Sequence, residues 1–205
     1  MATDDTDSKE SWRSVLEKAR TLTGFTEEDE QILQEASEVL RPCSEEIAQV
    51  FYDTLYGFAP TAAIFRDLDQ DRSVRESTLR QWFESLVSGQ YDDRFWTWHW
   101  LVGLVHVQHH VEHVFVMSMI GRVQTVLVGK AFEIFEEASA ERVIQAFIRV
   151  TNCLAALTVE AYHHEYLHAV RESGMKEPVL NRMVSMEVKK KIEQYRRILG
   201  PYPIH

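Results

Sequence analysis

The sequence is poor in the residues that staple or punctuate a fold. Its 205 residues include two cysteines, eight glycines and five prolines. Cys43 and Cys153 form neither a CxxC pair nor a CxxCH attachment site, which excludes a secretory disulfide framework and makes a reducing cytoplasm the simplest home. So few glycines and prolines exclude a loop-rich β architecture. No uninterrupted run approaches the roughly eighteen apolar residues of a membrane span. The start, Met1-Ala2-Thr3-Asp4-Asp5, is acidic where a signal peptide is basic. Positive charge is also short, 22 Lys and Arg against 32 Asp and Glu, and the net −10 argues against nucleic acid or an anionic membrane as a partner.

What is present is 45% hydrophobic and 11% aromatic residues, enough for one globular core and too rich for a disordered chain. The apolar residues recur at helical spacing almost throughout. After a polar start over residues 1–8, Trp12, Val15, Leu16, Ala19 and Leu22 predict a short leading helix stopped by Gly24. Thr26 followed by Glu27, Glu28 and Asp29 predicts an N-cap, with Ile32, Leu33, Ala36 and Leu40 as the buried stripe. Pro42 then opens a helix carrying Ile47, Val50, Phe51, Tyr52, Leu55 and Phe58, closed by Gly57 and Pro60.

A polar loop around Asp67 to Asp71 leads into a helix from Val74 to Val87, stopped at Gly89, and the next begins near Asp92. The apolar stretch from Phe95 to Phe135 reads as two helices joined by a short turn. Ser139 can cap a last long helix ending at Gly174, after which Val179 to Leu199 forms a basic amphipathic segment. The expectation is an all-α, globin-like fold of about eight helices with an added N-terminal helix and a C-terminal helical tail. Its parts are an extension over residues 1–24, a main domain over 25–174 and a tail over 175–205.

Histidine is the informative residue. His106, His109, His110 and His113 stand at i, i+3, i+4 and i+7, which on a continuous helix is one face. An axial cofactor ligand, a multi-histidine metal site and a polar solvent stripe all remain open on that spacing. A second cluster, His163, His164, Glu165 and His168, contains His-Glu-x-x-His, the spacing of a zincin, without a downstream third-ligand motif. Glu160 and His163 make one ExxH, but a di-iron bundle needs a second one and further inward glutamates. The aromatics Phe51, Phe65, Trp82, Phe83, Trp96, Trp98 and Trp100 suit a core as well as a cofactor box. A buried Tyr52 needs a partner for its hydroxyl, and Thr78 either bonds back to its helix or faces something polar.

The stretch from Ser77-Thr78-Leu79 through Gln81-Trp82-Phe83 to Gly89-Gln90-Tyr91-Asp92, followed by Val102-Gly103-Leu104-Val105-His106, resembles the globins of the protoglobin and globin-coupled sensor lineage. Upstream, Phe51-Tyr52 and Phe65 are similar to that family's distal aromatic-tyrosine pair and its porphyrin-wedging phenylalanine. The resemblance covers roughly residues 25–170. Where the family continues after its histidine with an Arg-Ile-Gly-Leu-x-Pro-x-Trp-Tyr type segment, this chain has Val107-Gln108-His109-His110-Val111-Glu112-His113.

The resemblance implies a non-covalent haem b whose iron is held by His106. It implies a pocket formed by Phe51, Tyr52, Phe65, Thr78, Leu79, Trp82 and Phe83, with Tyr52 and Thr78 offering hydroxyls to a bound gas. It implies O2, CO and NO as ligands and a gas or redox sensor or protoglobin rather than an enzyme. Haem redox catalysis (peroxidase or NO and nitrite chemistry) and a haem-free dimerising adaptor are the alternatives. A homodimer through the last two long helices is expected, with Met117, Ile120, Val123 and Leu127 alternating with Ile148, Cys153 and Leu157, and with a separate signalling partner as an option. Only about thirty residues follow Gly174 and no output domain is among them, which leaves a single-domain sensor globin acting through a partner, a stand-alone protoglobin or the sensor part of a longer chain as expectations, with Pro201-Tyr202-Pro203 slightly more like a natural end than a cut helical linker.

Overall fold

A computed structural model describes residues 4–66 and 71–199. Residues 67–70 of the expected polar loop, the first three residues and Pro201-Tyr202-Pro203 lie outside them. Among the described residues the chain is all α-helical: α1 (Asp4–Thr23), α2 (Glu27–Leu40), α3 (Ser44–Gly57), α4 (Ala59–Arg66), α5 (Arg72–Leu86), α6 (Asp93–Gln108), α7 (His113–Ile134), α8 (Glu137–Glu172) and α9 (Glu177–Leu199). The chain divides into two compact units, residues 1–162 and 163–205.

In the first unit the core is built on α8. Val143, Phe147, Val150, Leu154 and Leu157 are buried along one side of it, against Leu33 and Leu40 of α2, Phe83 and Leu86 of α5, Trp96 and Trp100 of α6, and Val123 and Leu127 of α7. Helix α3 packs chiefly on α5, and also on α4 and α7. The second unit holds α9, a basic amphipathic helix whose apolar residues, among them Val184, Val188 and Tyr195, are exposed.

Two helices, α7 and α8, are long and apolar enough on average to cross a membrane. Their buried members, Val123 and Leu127 on one and Phe147 and Leu157 on the other, are those that a helical core needs.

Several boundaries differ from the sequence reading. Helix α1 begins at Asp4, not near Trp12, and Leu22 on it is exposed. Pro60 does not end a helix but sits in the first turn of α4, where its missing N–H has no intrahelical partner to lose. Phe58 is therefore an exposed junction residue between α3 and α4. Pro42 occupies a 3₁₀ turn, Arg41–Cys43, ahead of α3, and α8 starts at Glu137, two residues before Ser139.

The pairing surface expected on α7 and α8 also needs correction. Val123, Leu127, Cys153 and Leu157 are buried within the chain, so they cannot face a second copy; Met117 is exposed. The exposed apolar residues of α7 are Val114, Met117, Phe132 and Ile134.

The turn between α5 and α6 is fixed by its own chemistry. Gly89 has φ +67°, and a Cβ there would lie 2.3 Å from the Glu30 carbonyl oxygen, so both conformation and space require glycine. The Asp92 carboxylate accepts the Phe95 N–H at 2.8 Å as the N-cap of α6. Between them the Tyr91 hydroxyl donates to the Leu86 carbonyl, and the Trp96 indole donates to the Tyr91 carbonyl at 3.0 Å. The Gly-x-Tyr-Asp sequence is thus a turn that sets where α6 begins.

Candidate functional site

The first unit contains a cavity of about 350 Å³ with a mainly apolar lining. One wall comes from Phe51, Tyr52 and Leu55 of α3, Ile64 and Phe65 of α4, and Thr78, Leu79 and Trp82 of α5. The rest comes from His99, Val102 and His106 of α6, Phe115 and Val116 of α7, and Leu154 and Thr158 of α8, while Met119 of α7 packs with Tyr52 and Leu55.

His106 reaches this cavity because Gly103 lets α6 lie on α8. A Cβ at Gly103 would fall 2.8 Å from the Ala161 Cβ and 3.2 Å from the Thr158 carbonyl oxygen. One turn later the His106 Nδ1 lies 2.8 Å from the Val102 carbonyl. A carbonyl only accepts, so Nδ1 carries the proton and Nε2 keeps its lone pair. Burial pushes the pKa of this imidazole below its usual value, and the neutral ring is a metal ligand in waiting.

His99 lies two turns earlier on the same helix and uses the same anchor, with Nδ1 2.8 Å from the Phe95 carbonyl. Its Nε2 is occupied, because it accepts the Trp82 indole N–H at 3.1 Å. Burial holds its pKa at about 4, so it is neutral and satisfied. Nothing in its own spacing singled out His99, since its indole partner comes from another helix, seventeen residues away along the chain.

The helix breaks inside the first histidine cluster. α6 ends at Gln108, His109 and His110 form the turn, His110 at φ 53°, and His113 opens α7. The four histidines therefore do not share one helical face, and only His106 and His109 line the cavity. Tyr162 of α8 fixes this turn by donating to the Val111 carbonyl at 2.8 Å and packing on the His113 ring at 4.2 Å.

Tyr52 of α3, also in the lining, is buried among Phe51, Tyr56 and Phe65, with ring centroids 5.3 to 6.1 Å away. Among the described residues its hydroxyl has no hydrogen-bond partner, and burial raises its pKa to about 12, so it remains a proton donor. The Thr78 hydroxyl already donates to the Val74 carbonyl of its own helix at 3.0 Å. Arg75 stays behind the wall, donating to the Tyr56 hydroxyl at 2.7 Å with its guanidinium 4.9 Å from the Phe65 ring. Phe83 is not a wall residue: it is fully buried against Phe147, 5.9 Å between centroids, in the core behind the cavity.

In the second unit His164 Nδ1 lies 3.2 Å from the Glu165 carboxylate. Among the described residues no three histidine, cysteine or acidic side chains converge as a metal site, so neither the His-Glu-x-x-His spacing nor the single ExxH assembles one. Cys43 and Cys153 are free and buried.

The chain resembles known proteins in the same terms. Its fold is similar to the globin domain of the Geobacter sulfurreducens globin-coupled sensor, with a TM-score of 0.65 and 22% identity over 71% of this chain and 96% of that one. No functionally curated protein matches it in sequence. The family model for protoglobin matches residues 13–168, which contain the whole cavity and both of its walls, and the chain belongs to the protoglobin family.

Proposed function

We propose that the chain binds one haem b non-covalently in this cavity and takes up O2, CO or NO there as a gas or redox sensor. The observation that supports this reading is that one apolar cavity is lined both by His106, whose Nε2 is left bare by the Nδ1 bond to Val102, and by Tyr52, whose hydroxyl has no partner among the described residues. The donor set fits: a neutral imidazole suits haem iron, and the apolar, aromatic lining suits a porphyrin face. When bound, haem supplies an iron with one coordination position open to a diatomic gas.

The chain's own residues do the rest. His106 holds the iron, and the Val102 carbonyl fixes its tautomer and ring orientation. Phe65, Phe51, Leu79 and Trp82 exclude water from the face where gas binds. Tyr52 would donate to a gas ligand that carries partial negative charge, a bond worth on the order of 1 to 1.5 kcal/mol. Thr78, bonded to its own helix, has no second proton to give.

A homodimer through α7 and α8, in a reducing cytoplasm, completes the proposal. Gel filtration with light scattering tests the dimer, and a monomer at micromolar concentration overturns it. The ultraviolet-visible spectrum of the purified protein tests the rest: as isolated, reduced, and reduced under O2 and under CO. A strong Soret band near one haem per chain that shifts with each gas is expected. Failure to take up haem after supplementation overturns the reading.

A further inference from the structure

Trp82 and His99 join the two helices that flank the cavity. Trp82 stands on α5, with the gas-side residues Thr78 and Leu79, and His99 on α6, with His106. Both rings line the cavity, and the 3.1 Å bond between Trp82 Nε1 and His99 Nε2 closes its wall at that point. The imidazole has no freedom to leave: it is 3% exposed, its other nitrogen is tied to the Phe95 carbonyl, and the Phe95 ring lies 4.2 Å from it. Indole has a donor only, and neutral imidazole bonded at Nδ1 has an acceptor only at Nε2, so the two groups are complementary in one tautomer.

We propose that His99 is a positioning residue which, by accepting the Trp82 indole N–H, pins α5 to α6 and sets how tightly a flat ligand is gripped between them. The proposal rests on the haem reading above for the identity of that ligand, but the pin itself does not. Without the acceptor, the Trp82 N–H would be left unsatisfied in an apolar wall, and the helices would separate or the ring would turn to find water. Without the donor, the His99 lone pair would be stranded in the same way.

The full chain is compared with His99→Gln, His99→Leu, Trp82→Phe and the double variant His99→Leu/Trp82→Phe. Gln can place an acceptor near the position of Nε2, whereas Leu cannot. Two readouts are taken on each protein: the rate of haem loss to an excess of apomyoglobin, and the ¹H–¹⁵N resonances of the indole groups in the CO-bound protein, or in the protein as purified if it holds no haem. The Trp82 signal is the one missing in Trp82→Phe.

The expected result is haem loss about tenfold faster in His99→Leu and Trp82→Phe, near the native rate in His99→Gln, and no faster in the double variant than in the worse single one. The Trp82 indole signal moves upfield in His99→Leu and returns towards its native position in His99→Gln. Unchanged indole signal in His99→Leu, additive effects in the double variant, or equal haem loss from His99→Gln and His99→Leu would overturn the proposal. If His99→Leu fails to fold, Trp82→Phe and His99→Gln still decide it by haem loss. A chain that takes up no haem, yet shows the expected indole shifts, overturns the function and keeps the pin.

Discussion

The two regions richest in histidine differ in a way that their sequences conceal. The segment His163 to His168 carries a named metalloprotease spacing and folds into nothing that converges on an ion. Helix α6 carries no metalloprotease spacing, yet each of its histidines is built into the structure: His106 by one backbone bond that bares Nε2, and His99 by one backbone bond and one indole. Side-chain type and spacing offer a ligand; burial and the partner of the second ring nitrogen decide whether the offer stands. That the same anchor serves both α6 histidines, with opposite outcomes at Nε2, makes the point within one helix.

The comparison can be broken most directly at His106. Replacing it by Ala is expected to abolish stoichiometric haem uptake, read from the Soret absorbance per chain, and a retained five-coordinate spectrum would remove it as the ligand. Acid comes next. His99 titrates at about 4 in the folded chain against about 6.5 unfolded, so the unfolded state takes the proton first. Stability is complete above pH 6.5 and falls from there down to about pH 4, by up to about 3 kcal/mol. His106 adds loss of the same sign. His99→Gln should flatten the slope in urea melts taken across that range, and an unaltered slope would show that other groups cause it.

Gly103→Ala should cost about 1 to 3 kcal/mol by forcing α6 off α8, since its Cβ has no room beside Ala161. Gly121→Ala is the control, with nothing within 4 Å, and should be neutral or stabilising. Equal effects at the two glycines would mean that α6 is not seated through Gly103. Tyr52→Phe should retain haem and release O2 about tenfold faster, measured by stopped flow. Smallest of all, His164→Ala and His168→Ala should leave haem content unchanged and stability within about 0.5 kcal/mol. A lost metal or a lost haem in either would reverse the contrast between the two regions.

Much of this was legible in the chain. Helical spacing pointed to the all-α architecture, and the helix start near Asp92 and Gly89 as a stop were readable because helix ends and left-handed turns depend on local chemistry. The stretch ending in Val102-Gly103-Leu104-Val105-His106 pointed to a histidine that lines the cavity. Other features were not. The four-histidine stripe assumed one helix, and the break at Gln108 depends on a left-handed His110 and on Tyr162, fifty-one residues away along the chain, holding Val111. Phe83 and Trp82 are adjacent and both aromatic, yet about a quarter-turn of α5 puts Phe83 wholly in the core while Trp82 also lines the cavity.

By itself, then, the sequence determined what is local: which residues form helices, where turns must hold glycine, and which side chains have the chemistry to bind a ligand. The tertiary structure decided what is relational. Among the described residues it committed the Nε2 of His99 to an indole from another helix, left that of His106 bare and the Tyr52 hydroxyl without a protein partner, and buried Val123, Leu127, Cys153 and Leu157, four of the residues expected to pair two chains. The reason is physical: a hydrogen-bond acceptor or an apolar surface is a property of one residue, but whether it is already satisfied depends on residues brought to it from elsewhere in the chain.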